Sequence, residues 1–97
     1  MTPRARSDVQ RGLQRKGFKL SDNDHEKFIF FLSNGKKSSV WTKISRGSGH
    51  REISGSNLGK MSRQCRLHSS DFEDLLDCPL SKEKYEQKLL EDGYVAY

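Results

Sequence analysis

Ninety-seven residues make one domain, with little room for a second. Hydrophobic and charged residues each make up 32% of the chain, so the core is small. Five Phe, three Tyr and one Trp nevertheless exclude a disordered composition. No apolar run approaches the ~20 residues that span a bilayer, and no membrane partner is expected. The basic N-terminus, Met1 to Gln10, has no apolar stretch of the kind a secretory signal needs. Cys65 and Cys78 without such a signal point to free thiols in a reducing cytoplasm. The net charge of +5 is uneven: Met1–Arg66 carries 15 Lys/Arg against 5 Asp/Glu, and Leu67–Tyr97 carries 3 against 8. A small body with so basic an N-terminal part suits a polyanion, nucleic acid above all.

The first element is a helix over Asp8–Lys16. Ser7 and Gln10 have the spacing of a capping box, Val9 and Leu13 share a face, and Gly17 is placed to end the helix in a left-handed conformation. Phe18–Asp22 alternates as a short strand, with Phe18 and Leu20 on its buried side. Asn23 and Asp24 form a turn into the central strand, Glu26–Ser33, which is apolar on both faces. Asn34-Gly35 is the strongest hairpin signal in the chain and leads to a third strand over Lys36–Ser45, anchored by Val40, Trp41 and Ile44. Arg46–Arg51 is a glycine-rich basic loop without the phosphate-binding pattern of a P-loop.

Ser54 or Ser56 caps the next helix, which runs to about Arg66. Leu58, Met61 and Cys65 fall on one stripe of it, and Lys60, Arg63 and Arg66 on the roughly opposite one. A third helix begins at Ser69 with Phe72, Leu75 and Leu76 inward and an acidic first turn. Pro79 interrupts the chain. Ser81 then caps a fourth helix, Leu80 and Tyr85 forming a staple around the cap, and Gly93 ends it. The expected class is α+β: an α-β-β-β-α unit with a three-stranded antiparallel sheet over residues 1–67, and an acidic two-helix extension over 68–97 packed on the same domain. That order is the layout of double-stranded-RNA-binding domains.

Few constellations carry chemistry. Cys65, His68, Cys78 and His50 lack the compact spacing of a zinc set, and Cys65 belongs to an apolar stripe. No nucleophile elbow is present. Asp22, Asp24 and Glu26 read as a solvated turn before they read as a metal cradle, so no cofactor is expected. His25 stands between two carboxylates at the head of the aromatic strand, where a carboxylate favours and orients an imidazolium. RNA carries its own nucleophile, the 2′-hydroxyl. One histidine to move protons and a few cations at the phosphate are enough to cleave it.

The order of these features resembles the HicA toxins of HicA–HicB toxin–antitoxin pairs. The resemblance covers roughly residues 8 to 67. It is carried by Leu13, Gly17 and Phe18, by His25 with the aromatic strand after it, and by the Asn34-Gly35 turn. It continues through Thr42-Lys43-Ile44-Ser45, the Gly/Ser loop, and Arg51-Glu52-Ile53-Ser54 leading into Leu58–Gln64. It implies a cytoplasmic, metal-independent mRNA interferase with His25 as the catalytic residue, RNA as substrate and a HicB-type antitoxin as partner. Where the family has Gly-Ser or Gly-Thr before that histidine, this chain has Asn23-Asp24. The family's Pro-x-His after the third strand has no counterpart at Ser45-Arg46. Lys27, Lys43, Arg46, Arg51, Lys60 and Arg63 are the expected phosphate contacts. The competing readings are a non-catalytic RNA-binding module of the same fold and a protein-interaction domain.

Overall fold

The computed structural model describes residues 1–21, 26–44, 51–77 and 79–97. They form an α+β domain with a three-stranded antiparallel sheet and, among the described residues, four helices. In chain order the elements are β1 (Arg4–Ala5), α1 (Arg6–Arg15), β2 (Phe18–Leu20), β3 (Lys27–Phe31), β4 (Lys37–Lys43), β5 (Glu52–Ile53), α2 (Gly55–Gln64), α3 (Ser69–Asp77) and α4 (Lys82–Glu91). The sheet is the meander β2-β3-β4, as the alternation predicts. A second, two-stranded ribbon of β1 and β5 was not foreseen. Strands of two residues are too short to show a period.

Helix α1 starts differently from expectation. Its N-cap is Ala5, with no side-chain cap, and Ser7 is already inside the helix. The Arg6 N–H instead donates to the Arg51 carbonyl at 2.7 Å. A backbone partner from the β1–β5 ribbon thus does what the Ser7 hydroxyl was expected to do. At the other end Gly17, at φ +93°, turns the chain into β2.

The β3–β4 hairpin closes through Ser33-Asn34-Gly35. Gly35 N–H donates to Leu32 O at 2.9 Å, and Gly35 has φ +86°, which glycine alone adopts without strain. The register between β3 and β4 shifts between Ile29, which faces Trp41, and Phe31, which faces Lys37. Ser38 fills the gap in the ladder. Its hydroxyl donates to Phe30 O at 2.6 Å and accepts from Val40 N–H at 3.1 Å.

One core cluster takes Phe28 and Phe30 from the sheet, Val9 and Leu13 from α1, Leu58 and Met61 from α2, Phe72, Leu75 and Leu76 from α3, and Tyr85 and Leu89 from α4. Tyr85 is fully buried against Phe18 and Phe30, with ring centroids 6.0 and 5.0 Å away. Its hydroxyl donates to Cys65 O at 2.8 Å, so the polar tip is satisfied. Lys16, also buried, donates from Nζ to Leu75 O at 2.7 Å and to Leu80 O at 2.6 Å. That places a cation at the C-terminal end of α3, where the helix dipole favours it. The acidic C-terminal helices therefore complete the core. Two apolar expectations fail: Leu20 is 42% exposed at the end of β2, and Trp41 is 38% exposed on β4.

Candidate nucleic-acid interface

The sheet has two unlike faces because β4 alternates. Val40, Thr42 and Ile44 are buried toward the helices, while Ser39, Trp41 and Lys43 face outward. On the outward face Lys19, Ile29 and Trp41 are direct cross-strand neighbours, and Lys27 faces Lys43. Like charges opposed across a ladder repel each other. The arrangement draws some compensation from the rings beside it. The Lys27 ammonium lies 4.6 Å from the centroid of Trp41, and that of Lys19 lies 4.7 Å from Phe31. The stems of the two lysines cover apolar surface that the sheet leaves open.

Helix α2 brings a second set of cations to the same tryptophan. Ser54 caps the helix, accepting from Asn57 N–H at 3.2 Å. Leu58, Met61 and Cys65 are buried, so Lys60, Arg63 and Arg66 are exposed, as the helical stripe predicts. Gln64 fixes the helix to the strand: its Oε1 accepts from the Thr42 hydroxyl at 2.7 Å and from Lys43 N–H at 3.2 Å. Between the two elements lies an open cavity of about 410 Å³ lined by Ser39, Trp41, Lys60, Arg63, Gln64 and Arg66. Its lining holds three cations, one indole and no carboxylate. A second cavity of about 370 Å³ shares Arg63 and Arg66 and adds Leu67, His68, Lys88, Tyr94 and one carboxylate, Asp92.

Arg66 is the joint between the two cavities and has an unusual backbone. It ends α2 at φ +63°, the one described non-glycine residue with positive φ. Arg66 N–H donates to Arg63 O at 3.0 Å and Leu67 N–H to Ser62 O at 2.9 Å, the paired bonds of a Schellman stop. Glycine is the usual residue in that conformation, and an L side chain there costs about 1–2 kcal/mol. Arg66 is held there with its guanidinium 4.9 Å from the Tyr94 ring centroid.

Of the residues expected to touch RNA, Lys27, Lys43, Lys60 and Arg63 gather around Trp41. Arg51 is exposed at the head of β5 and is not part of the cavity lining. The proposed catalytic His25 and the contact Arg46 lie outside the described residues, together with Asp22, Asp24, His50 and Cys78. Cys65 is fully buried, and burial pushes its thiol up to about 12, which keeps it protonated and unreactive. Trp41, Arg66 and Lys19 share this surface without being among the expected RNA contacts, although Arg66 was read on the basic stripe with Lys60 and Arg63. The signal for Trp41 was its parity with Ser39 and Lys43 on β4. For Arg66 it was its membership of the Lys60–Arg63 stripe.

Comparison with protein-family models, curated proteins and solved structures finds no match to any of them. Among the described residues no helix is long and apolar enough to cross a membrane.

Proposed function

We propose that this protein is an RNA-binding domain with the double-stranded-RNA-binding-domain layout, and that it acts in the cytoplasm as a HicA-type mRNA interferase. RNA contact rests on one observation: Lys27, Lys60, Arg63 and Arg66 converge on the half-exposed Trp41. Cations around an exposed aromatic ring, with no carboxylate in the cavity lining, suit a phosphodiester chain whose bases carry π faces.

Cleavage rests on His25 and on the resemblance. In this reading the RNA 2′-hydroxyl attacks the adjacent phosphorus. The O2′–P bond forms and the P–O5′ bond breaks, leaving a 2′,3′-cyclic phosphate and a 5′-hydroxyl. His25 moves the proton, and Lys/Arg side chains stabilise the charge that builds on the phosphate oxygens. A HicB-type antitoxin would silence the free enzyme. The Asn23-Asp24 pair that stands before His25 favours a second reading, a non-catalytic RNA-binding module of the same fold.

Incubation of the purified protein and of His25→Ala with a long single-stranded RNA, with and without a chelator, separates the readings. The interferase cleaves with or without chelator and His25→Ala loses about a hundredfold or more, in line with a general acid–base contribution. Salt-sensitive binding without cleavage by either protein establishes the module. Equal cleavage by both proteins removes His25 from the mechanism.

A further inference from the structure

The structure points to more than general polyanion binding at the α2–β4 edge. We propose that the cavity between α2 and β4 is a nucleotide subsite. An unpaired RNA base stacks on Trp41, and its phosphate is held by Arg63 and Arg66, so the protein selects single strands over duplex. This inference rests on the RNA reading above and adds a substrate class to it.

Four observations carry it. The cavity, at about 410 Å³, falls in the range of about 300–1,000 Å³ typical of small-ligand sites. Its charged groups are all cations: beside the neutral Ser39 and Gln64 stand Lys60, Arg63 and Arg66, all exposed and none ion-paired to a described residue. Its flat apolar surface is the indole of Trp41, left 38% exposed although an apolar core lies on the other side of the same sheet. The backbone conformation of Arg66 favours glycine, so the arginine is present despite a conformational cost.

The second cavity extends the argument along a strand. Arg63 and Arg66 line both cavities, and Tyr94, 42% exposed, lines the second. Two of the four large hydrophobic side chains exposed among the described residues thus flank the same pair of arginines. An aromatic ring on either side of shared cations matches base–phosphate–base in an extended single strand. In a duplex each base is stacked between its neighbours and its face is unavailable to an indole. Only the phosphates of a duplex would meet the arginines.

Trp41 is the only tryptophan in the chain, so its fluorescence reports on this subsite alone. The experiment titrates the full chain, and the variants Trp41→Ala, Trp41→Phe and Arg66→Gly, with three probes. These are a labelled eight-nucleotide oligouridylate, a labelled duplex RNA of the same length and poly-glutamate. Anisotropy gives affinity and indole emission gives stacking.

The subsite predicts saturable quenching by the single strand and none by the duplex. Trp41→Ala weakens single-strand binding about tenfold and leaves duplex binding unchanged, and Trp41→Phe restores most of the loss. Arg66→Gly weakens single-strand binding about fivefold, and loss of fold does not explain it, because glycine suits the backbone there. Single-strand affinity that is intact in Trp41→Ala, without quenching in the wild type, overturns the subsite and leaves RNA binding standing. Failure of both RNAs to bind at low salt overturns the RNA reading itself. Quenching by poly-glutamate as strong as by the single strand overturns base stacking in favour of an acidic protein ligand.

Discussion

Two aromatic residues on opposite sides of the sheet show how this chain divides its work. Tyr85 is buried among Phe18 and Phe30 with its hydroxyl bonded to Cys65 O, and it comes from the acidic C-terminal part of the chain. Trp41 is half-exposed among Lys27, Lys60 and Arg63, all from the basic part. The acidic helices complete the core, and the cations of β3 and α2 gather around Trp41 at the α2–β4 edge. The difference is one of neighbours rather than of side-chain type. Tyr85 has apolar partners and a satisfied polar tip, and Trp41 has charges that stay in water.

The comparison implies that stability and binding separate cleanly between the two sites, and the largest effect tests the buried one. Tyr85→Ala is expected to cost about 3–5 kcal/mol, the range for emptying a large aromatic site in a core. Small domains are stable by only about 5–15 kcal/mol, so this loss would remove from about a fifth to all of that stability. Urea denaturation followed by circular dichroism measures it. Tyr85→Phe keeps the packing and leaves Cys65 O without this donor, for a cost of about 1–2 kcal/mol. A loss below about 1 kcal/mol in Tyr85→Ala would mean that α4 is a loosely attached extension and not part of the core.

That result bears on how far the sequence could be read. The 3.6-residue stripes of α2, α3 and α4 placed Leu58, Met61, Cys65, Phe72, Leu75, Leu76 and Tyr85 correctly inside, because the apolar residues of each recur at helical spacing. Trp41 was misplaced because size and hydrophobicity suggested an anchor, whereas position on the strand decides which way a residue points. Leu20 failed for another reason. Its parity was right, since it pairs with buried Phe28, but at the end of β2 nothing lies over it. The Ser7 cap was displaced by a partner more than forty residues away, Arg51, which no local pattern reveals. As to the candidate site, the cation stripe was legible. The cavity it makes with Trp41 depends on the Gln64 link between α2 and β4, a tertiary contact.

An intermediate effect is expected where the C-terminal part grips the β3–β4 turn. Glu86 on α4 is only 4% exposed and accepts from Ser33 N–H at 2.8 Å, from the Ser33 hydroxyl at 2.7 Å and from the Tyr97 hydroxyl. Burial raises its pKa, but the bonds from Tyr97 and Ser33 outweigh that and hold it below the ordinary carboxylate value of 4.5. A folded value below the unfolded one stabilises the native state above the unfolded value, and that stability is lost as pH falls through the folded value. Glu86→Gln is expected to cost about 1–3 kcal/mol at pH 7. Its disadvantage relative to the wild type should shrink as the pH is taken below 4.5. Urea midpoints for both proteins across that range check the sign. A gap that widens on acidification would show that the carboxylate is not the stabilising form.

The smallest expected effect on stability is at Arg66, and it separates the backbone from the side chain at the joint of the two cavities. Arg66→Ala removes the guanidinium and keeps a Cβ at φ +63°. Arg66→Gly removes the guanidinium and the Cβ together. Neither variant keeps the Tyr94 contact, so the difference between them isolates the left-handed turn, less the extra freedom glycine has when unfolded. The glycine variant should be the more stable by about 1 kcal/mol. Both variants should lose RNA affinity to the same extent, because both lack the same phosphate contact. If they bind differently, the turn itself shapes the cavity. If they are equally stable, Arg66 is not strained, and its position beside Trp41 carries no sign that stability was given up for binding.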